Sequence, residues 1–104
     1  MSQTKVSLID VQRIDFETLP GWKLTTEQTA IQKTFQFQSF EDAFQFMTDC
    51  CPTIQAMDHH PDWSNTYHRV HVTLMTHDVG GLSHKDIDLA QAMNQIFIAI
   101  QNKH

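Results

Sequence analysis

The sequence predicts an α+β fold in which an antiparallel sheet carries helices on one face. Two segments alternate between apolar and polar residues with a period of two, and two others repeat apolar residues at helical spacing. The predicted order is a strand pair, a helix, a strand run and a second helix, without the alternating pattern of a parallel sheet. At 104 residues the chain suits one domain over residues 1–104 with a single modest core.

The N-terminal part contains the first predicted strand pair. Residues 1–15 fit neither period cleanly and predict an extended arm or a short helix. A turn signal at residues 19–21 precedes a short strand at 22–24. A stronger strand follows at 30–38, and residues 25–28 would join the two strands as a hairpin. The residues of the stronger strand predicted to face the core are Ile31, Lys33, Phe35 and Phe37.

A helix is predicted after Ser39, which can serve as the N-cap with Asp42 three residues later. The helix is expected to run to about Cys51, because Pro52 should end its regular part. A continuation through residues 54–57 remains open. One predicted apolar row consists of Phe40, Phe44, Met47 and Cys51, and it is widened by Ala43, Phe46 and Cys50.

The second half of the chain alternates again from Trp63 to Thr76. Within it, Asn65 to Thr76 can form either one long bent strand or two strands with a bend near His68. The face predicted to be buried holds Val70, Val72 and Leu74.

Ser83 is expected to cap the last helix, with Asp86 at the third helical position. The helix residues that should face the core are Ile87, Ala90, Met93, Phe97 and Ile100. The apolar stripe is widened by Leu89, Ile96 and Ala99. So wide a stripe indicates a contact between copies of the chain.

Composition narrows the functional class. Apolar residues make up 40% of the chain and the formal net charge is −5, with Lys and Arg scattered rather than clustered. Direct nucleic-acid binding is therefore not expected. No apolar run is long enough for a membrane helix, and the N-terminus lacks a secretory signal, so we expect a cytoplasmic protein. Cys50 and Cys51 are expected to be reduced packing residues rather than a disulfide.

Three histidines form the candidate site. His59 and His60 precede Pro61, and His77 lies seventeen residues after His60 at the far end of the predicted strand run. Histidine, with an unperturbed pKa of about 6.5, can give or take a proton near neutral pH. The three imidazoles can converge on one pocket. Two alternatives stay open: a solvated histidine pair in a loop, or a metal site, although no carboxylate or cysteine pattern completes a familiar ligand set.

The spacing of residues around these histidines is specific. After the first helix the pattern contains Asp58, His59, His60, Pro61, Trp63, Asn65, Tyr67, Val70, Val72, Leu74, Thr76, His77, Asp78, Gly80, Gly81, Leu82, Asp86, Leu89 and Ala90. Upstream it contains Leu19, Pro20, Gly21, Trp22, Phe35, Phe37, Phe40, Ala43, Phe46 and Met47. Together these residues resemble the pterin-4a-carbinolamine dehydratase family, also called 4a-hydroxytetrahydrobiopterin dehydratases. The resemblance covers roughly residues 19–100.

The resemblance implies a four-stranded antiparallel sheet with two or three helices on one face, in a homodimer or homotetramer. It implies removal of water from a 4a-hydroxytetrahydropterin, without metal or organic cofactor, to give the quinonoid dihydropterin. The implied catalytic residues are His59, His60 and His77.

The substrate-binding residues expected around them are Asp58, Trp63, Thr76 and Gln55. Asp58 and Thr76 would hydrogen-bond polar atoms of the pterin, and Trp63 would either lie against its flat ring or pack in the core. Asp86 is interpreted as the helix-capping acid.

The chain departs from the family pattern at Gln55, where many members carry an acid four residues before the first histidine of the pair. An amide can orient an imidazole but cannot shuttle a proton. We therefore expect lower activity or a shifted pH optimum rather than none. A different class of function, a protein-binding or assembly scaffold of the same fold, is the main alternative. A scaffold of that kind would be expected to lose the three histidines, and this chain keeps them.

Overall fold

The computed structural model describes residues 6–103. It contains four strands, β1 (Lys23–Leu24), β2 (Ile31–Gln36), β3 (Asp62–Thr66) and β4 (Arg69–Leu74), and two helices, α1 (Phe40–Met57) and α2 (His84–Gln101). The strands form one sheet in the order β1-β2-β4-β3, and every neighbouring pair is antiparallel. The α+β class with a four-stranded antiparallel sheet is therefore confirmed.

The N-terminal arm packs beside the loop that leads into α2. Residues 6–10 have no regular structure, and two short 3-10 helices follow at Val11–Arg13 and Phe16–Thr18. The Ile9 N–H donates to the Leu82 carbonyl at 2.8 Å. The predicted arm or short helix at residues 1–15 is thus an arm with 3-10 turns where it is described, and residues 1–5 lie outside the described part.

The sheet has one apolar face and one polar face, as the alternating patterns predict. Phe35 on β2 and Val70, Val72 and Leu74 on β4 are buried against the helices. The region from Trp63 to Thr76 forms two strands rather than one bent strand, because the chain reverses at Tyr67 with a positive φ of 54°. The Asn65 side-chain amide donates to the carbonyls of Tyr67 and Arg69 and so closes this turn.

The expectation that Pro52 ends the regular part of the first helix is wrong. Helix α1 runs through Pro52 to Met57, six residues past the predicted end at Cys51. A proline inside a helix removes one backbone hydrogen bond. Pro52 and Thr48 both lie on the exposed face, where water can bond the carbonyl that loses its donor. The buried side chain of Ile54 continues the apolar stripe and favours the last turns.

The row of α1 that faces the sheet is also not the row predicted first. The fully buried positions are Ala43, Phe46, Cys50 and Ile54. Phe40 and Phe44 are 45% and 58% exposed. Successive residues on a helix are about 100° apart, so two rows offset by three positions lie only about 60° apart around the axis, and both rows are apolar here. The pattern located the helix but not its rotation about its own axis.

Helix α2 begins with the predicted capping box of Ser83 and Asp86, with both reciprocal hydrogen bonds present. Its side chains that are buried against the core include Leu89, Ala90, Met93 and Ile100. The aromatic centre of the core joins both helices to the sheet, with the rings of Phe35 and Phe46 4.6 Å apart and those of Phe35 and Phe97 5.4 Å apart.

Lys33 lies on the apolar face of β2, and its ammonium group is held by polar partners at the edge of the core. Nζ donates to the Pro20 carbonyl at 2.9 Å and to the Asn94 side-chain oxygen at 2.8 Å. It also lies 4.5 Å from the centre of the Phe35 ring. Desolvation by burial lowers the pKa of Lys33.

Both cysteines of α1 are free thiols. Cys50 packs in the core, and burial, reinforced by Asp49 and Cys51, raises its pKa to about 12. Cys51 is exposed and does not pack in the core. Within residues 6–103, neither helix is long and apolar enough to span a membrane.

Candidate active site

The three candidate histidines lie where the end of α1 meets the end of β4. Helix α1 stops because Asp58 adopts the left-handed conformation with φ 49°, and its N–H donates to the carbonyls of Gln55 and Ile54. The chain then passes through His59 and His60 into β3. On the other side, β4 ends at Leu74 and leads directly to His77.

A short turn holds His77 in place. The Thr76 N–H donates to the Gly81 carbonyl at 2.7 Å, and a 3-10 turn over His77–Val79 fills the interval. Gly80 closes this turn in the left-handed conformation with φ 66°, which favours glycine.

Two adjoining clefts open at this corner of the molecule. The first, called the histidine cleft, has a volume of about 230 Å³ and is lined by Asp58, His59, His60, Met75, Thr76, His77, Asp78 and Lys85. The second, called the strand cleft, has a volume of about 450 Å³ and is lined by His60, Pro61, Asp62, Thr73, Met75 and His77. His60, Met75 and His77 line both clefts, so a ligand can occupy them together.

The His59 imidazole is fixed by a buried carboxylate. Its Nε2 lies 2.6 Å from Oδ1 of Asp86, and the two side chains are nearly inaccessible to solvent. The other carboxylate oxygen, Oδ2, accepts hydrogen bonds from the Thr76 hydroxyl at 2.8 Å and from the Ser83 N–H at 2.9 Å. Every polar atom of Asp86 is therefore in use, which offsets the cost of burying this side chain.

With Asp86 as a carboxylate, these hydrogen bonds assign the Nε2–H tautomer to a neutral His59 ring. The Ser83 N–H can only donate, and Thr76 also donates, so Asp86 acts as an acceptor at Oδ2. An ionised carboxylate has only acceptors, so His59 Nε2 must carry the proton in the bond to Oδ1. The neutral ring then has a free lone pair at Nδ1, and His59 lines the histidine cleft. Nδ1 is thus the nitrogen available to a bound molecule.

Of the seven predicted site residues, five line the histidine cleft. They are Asp58, His59, His60, Thr76 and His77. His60 and His77 are exposed, unlike the buried His59. The hydroxyl hydrogen of Thr76 is already donated to Asp86, and its oxygen lies 2.6 Å from the Ser83 hydroxyl. The geometry therefore favours Thr76 as a support for Asp86.

Trp63 and Gln55 line neither cleft. Trp63 pairs with Val72 across β3 and β4, and it packs against the core on the helix-covered face. Gln55 is exposed on the last turn of α1.

The sequence interpretation missed the second use of Asp86. The capping box explains only Oδ2, whereas Oδ1 bonds an imidazole 27 positions earlier in the chain. The family pattern has an acid at position 86, and this was the one signal in the sequence for a role beyond helix capping. Among residues 6–103, no group of three or more His, Cys, Asp or Glu side chains is arranged to hold a metal ion.

Comparison with known proteins gives a consistent result. A family model described as "Pterin 4 alpha carbinolamine dehydratase" matches residues 7–96. A protein of Rhodospirillum rubrum named "Putative pterin-4-alpha-carbinolamine dehydratase" is 52% identical over 77 residues, which cover 74% of this chain and 80% of that protein. A protein of the same name from Mesorhizobium japonicum is 49% identical over 79 residues, 76% of this chain and 81% of that protein.

A solved structure agrees in fold as well as in sequence. The crystal structure of a "transcriptional coactivator/pterin dehydratase" from Brucella melitensis superposes with a TM-score of 0.76 at 41% identity, covering 78% of this chain and 86% of that one. The family model spans most of the chain, and the relatives match it over about three quarters of its length. The chain therefore belongs to the pterin-4-alpha-carbinolamine dehydratase family of enzymes.

Proposed function

We propose that this protein removes water from a 4a-hydroxytetrahydropterin by histidine general acid–base catalysis. The product is the quinonoid dihydropterin, an intermediate in the recycling of tetrahydropterin cofactors. The observation that carries the proposal is the presence of His59, His60 and His77 around one cleft, with His59 held by Asp86.

The reaction needs two proton transfers at neighbouring atoms. A base takes the proton from ring nitrogen N5, the N5–C4a double bond forms, and the C4a–O bond breaks. An acid protonates the departing hydroxyl, which leaves as water. Two histidines in opposite protonation states can perform both transfers near neutral pH, and each positioned group contributes about 10²–10⁴-fold.

The geometry favours a division of roles among the three rings. His59 is the base, because its Nε2–H is committed to Asp86 and its Nδ1 lone pair remains available. His77, which is exposed in the same cleft, is assigned as the acid that protonates the 4a-hydroxyl. His60 lines both clefts and is assigned to orient that hydroxyl.

Asp58 is proposed to bind the end of the pterin remote from the reacting atoms. Its carboxylate is exposed at the wall of the histidine cleft. A carboxylate offers only acceptors, and the pterin edge offers the 2-amino group and N3–H as donors, so the two are complementary.

The proposal is tested by following quinonoid dihydropterin formation from synthetic 4a-hydroxytetrahydropterin. We expect the wild-type protein to accelerate formation well above the spontaneous rate. His59→Ala, His60→Ala and His77→Ala should each lower kcat, with losses of about 10²–10⁴-fold for the base and the acid. His71→Ala is the matched control, because His71 is exposed on the open face of the sheet and lines neither of the two clefts.

Wild-type rates in all three variants would exclude histidine catalysis. A folded wild-type protein that gives no acceleration would instead favour a protein-binding or assembly scaffold. The Brucella melitensis relative is described both as a coactivator and as a dehydratase, so the assay distinguishes between two roles that one fold is said to serve.

We also propose that the protein is a cytoplasmic homodimer or homotetramer. The support is apolar surface left uncovered in one chain, with Phe44 58% and Ile98 49% exposed on the two helices. Of the residues that widen the predicted stripe of α2, Ala99 is exposed, Ile96 is half-buried and Leu89 is buried, and the exposed Ile98 next to Ala99 adds apolar surface. Sedimentation equilibrium should give two or four times the mass of 12.1 kDa. A monomeric mass at micromolar concentration would contradict the proposed oligomer. Cell fractionation would test the proposed cytoplasmic location.

A further inference from the structure

The N-terminal arm contacts the segment between His77 and helix α2 through two consecutive residues. The Ile9 N–H donates to the Leu82 carbonyl at 2.8 Å. The side chain of Leu8 packs against Gly81, because its Cδ1 atom lies 2.7 Å from the position that a Cβ on Gly81 would occupy. Leu8 is 62% exposed and Gly81 is buried, so the leucine covers the glycine from the outside.

This contact accounts for the glycine at position 81. Gly80 needs its left-handed φ of 66° to close the turn, whereas Gly81 has no positive φ. An alanine at position 81 would therefore cause no backbone strain. Beyond the adjacent residues, its methyl group would meet only the end of the Leu8 side chain. The close approach of Leu8, rather than the backbone conformation, is what favours glycine at this position.

The segment beneath the arm determines where His77 lies. Within residues 6–103 the His77 ring makes no hydrogen bond, so the backbone of its turn sets its position. That turn is closed by Thr76 and Gly81, with the Thr76 N–H donating to the Gly81 carbonyl at 2.7 Å. Two adjacent glycines end the turn, and glycine loses more conformational freedom on ordering than any other residue. A contact from outside at Gly81 therefore restrains the turn where its own sequence restrains it least.

The same segment leads to the carboxylate that holds His59. Ser83 follows Leu82 directly, caps α2 and donates its N–H to Oδ2 of Asp86. The other carboxylate oxygen bonds the His59 ring. The hydrogen bond from the arm to the Leu82 carbonyl thus lies one residue before the helix start. The arm therefore contacts the link between the His77 turn and the start of α2, and it can fix their relative position.

We propose that the arm residues Leu8 and Ile9 form a strap that holds the His77 turn in its catalytic position. Neither residue lines the histidine cleft or the strand cleft, so both are positioning residues that act through the placement of His77. The inference rests on the proposed dehydratase function. Because the strap lies outside both clefts, loosening it should lower kcat and leave KM little changed.

The test compares Leu8→Ala, Gly81→Ala and the double variant by steady-state kinetics and by nitrogen NMR of the imidazoles. A misplacement of about 1 Å can cost roughly 10²-fold in rate, and we expect kcat to fall about tenfold in each single variant. In the double variant the new methyl group takes the space that the leucine vacates, so kcat should rise above that of Gly81→Ala. The His77 signals should shift in both single variants and return toward the wild type in the double variant. The signals of His71, on the open face of the sheet, should not change.

Tyr67→Ala is the matched control, because it truncates a similarly exposed side chain, 69% against 62%, at the opposite end of β4 from His77. It should keep wild-type kcat and the wild-type His77 signals. Wild-type kcat in Leu8→Ala, no rescue in the double variant, or an equal loss in Tyr67→Ala would each overturn the strap. Failure of the proposed function has a different signature, because the wild-type protein would then not accelerate the reaction. The His77 signals would still decide whether the strap positions the ring, and unchanged signals in both single variants would refute it.

Discussion

Asp86→Asn is expected to lower kcat about 10²–10⁴-fold while the protein stays folded and KM changes little. The Ser83 N–H and the Thr76 hydroxyl donate to Oδ2 in the wild type, so the amide oxygen of the variant should take that position. The amide NH₂ would then face His59 Nε2, which lies at Oδ1. Because the NH₂ can only donate, His59 must move its proton to Nδ1. The ring then presents a donor to the cleft in place of a base.

Steady-state kinetics and nitrogen NMR of the His59 ring together check this expectation. The NMR shifts report which ring nitrogen is protonated, which a purely structural effect would not change. Asp88→Asn makes the same chemical change on the same helix at an exposed position, and it should retain wild-type kcat. If Asp86→Asn kept wild-type kcat with the tautomer reversed, His59 Nδ1 could not be the base.

Phe46→Ala is expected to cost about 3–5 kcal/mol of unfolding free energy, the largest stability effect that a single truncation in α1 should produce. Phe46 is fully buried, and its ring contacts those of Phe35 and Phe37 at 4.6 and 5.2 Å. Removing the ring leaves a cavity among rigid aromatic neighbours, which cannot easily collapse. Urea unfolding followed by far-ultraviolet circular dichroism measures the change.

The matched variant is Phe44→Ala, two residues earlier on the same helix. Phe44 is 58% exposed in one chain, so its truncation should cost no more than about 1 kcal/mol when both variants are measured at a protein concentration at which the proposed oligomer has dissociated. The pair of variants tests the rotation of α1 about its axis. A larger loss for Phe44 than for Phe46 would mean that the row containing Phe44 faces the sheet.

The sequence predicted the class of fold because alternation and helical periodicity are properties of neighbouring residues. Strand β2, the β4 face of Val70, Val72 and Leu74, and the capping box of α2 depend on such local patterns, and all appear in the structure. The end of α1 was misjudged because the effect of Pro52 depends on whether water can reach the carbonyl it leaves unpaired. That exposure is a tertiary property.

The candidate site was only partly predictable, because some of its contacts also depend on tertiary packing. The pattern of spaced residues identified Asp58, His59, His60, Thr76 and His77, and the structure brings these five to one cleft. It did not show that Asp86 reaches His59, since that contact depends on how the start of α2 packs against the end of α1. The alternation of β3 does place Trp63 toward the core and Asp62 toward the cleft, but only once the buried face of the sheet is known.

Asp86 both caps helix α2 and holds the His59 imidazole. Few substitutions at this position can therefore preserve both roles. A glutamate at position 86 could still cap the helix, yet its extra methylene would displace the ring it holds. Substitutions intended to raise the thermal stability of the protein should therefore avoid the N-terminus of α2 and be placed on distant surfaces. Heating that loosens the first turn of α2 should abolish turnover before the sheet melts.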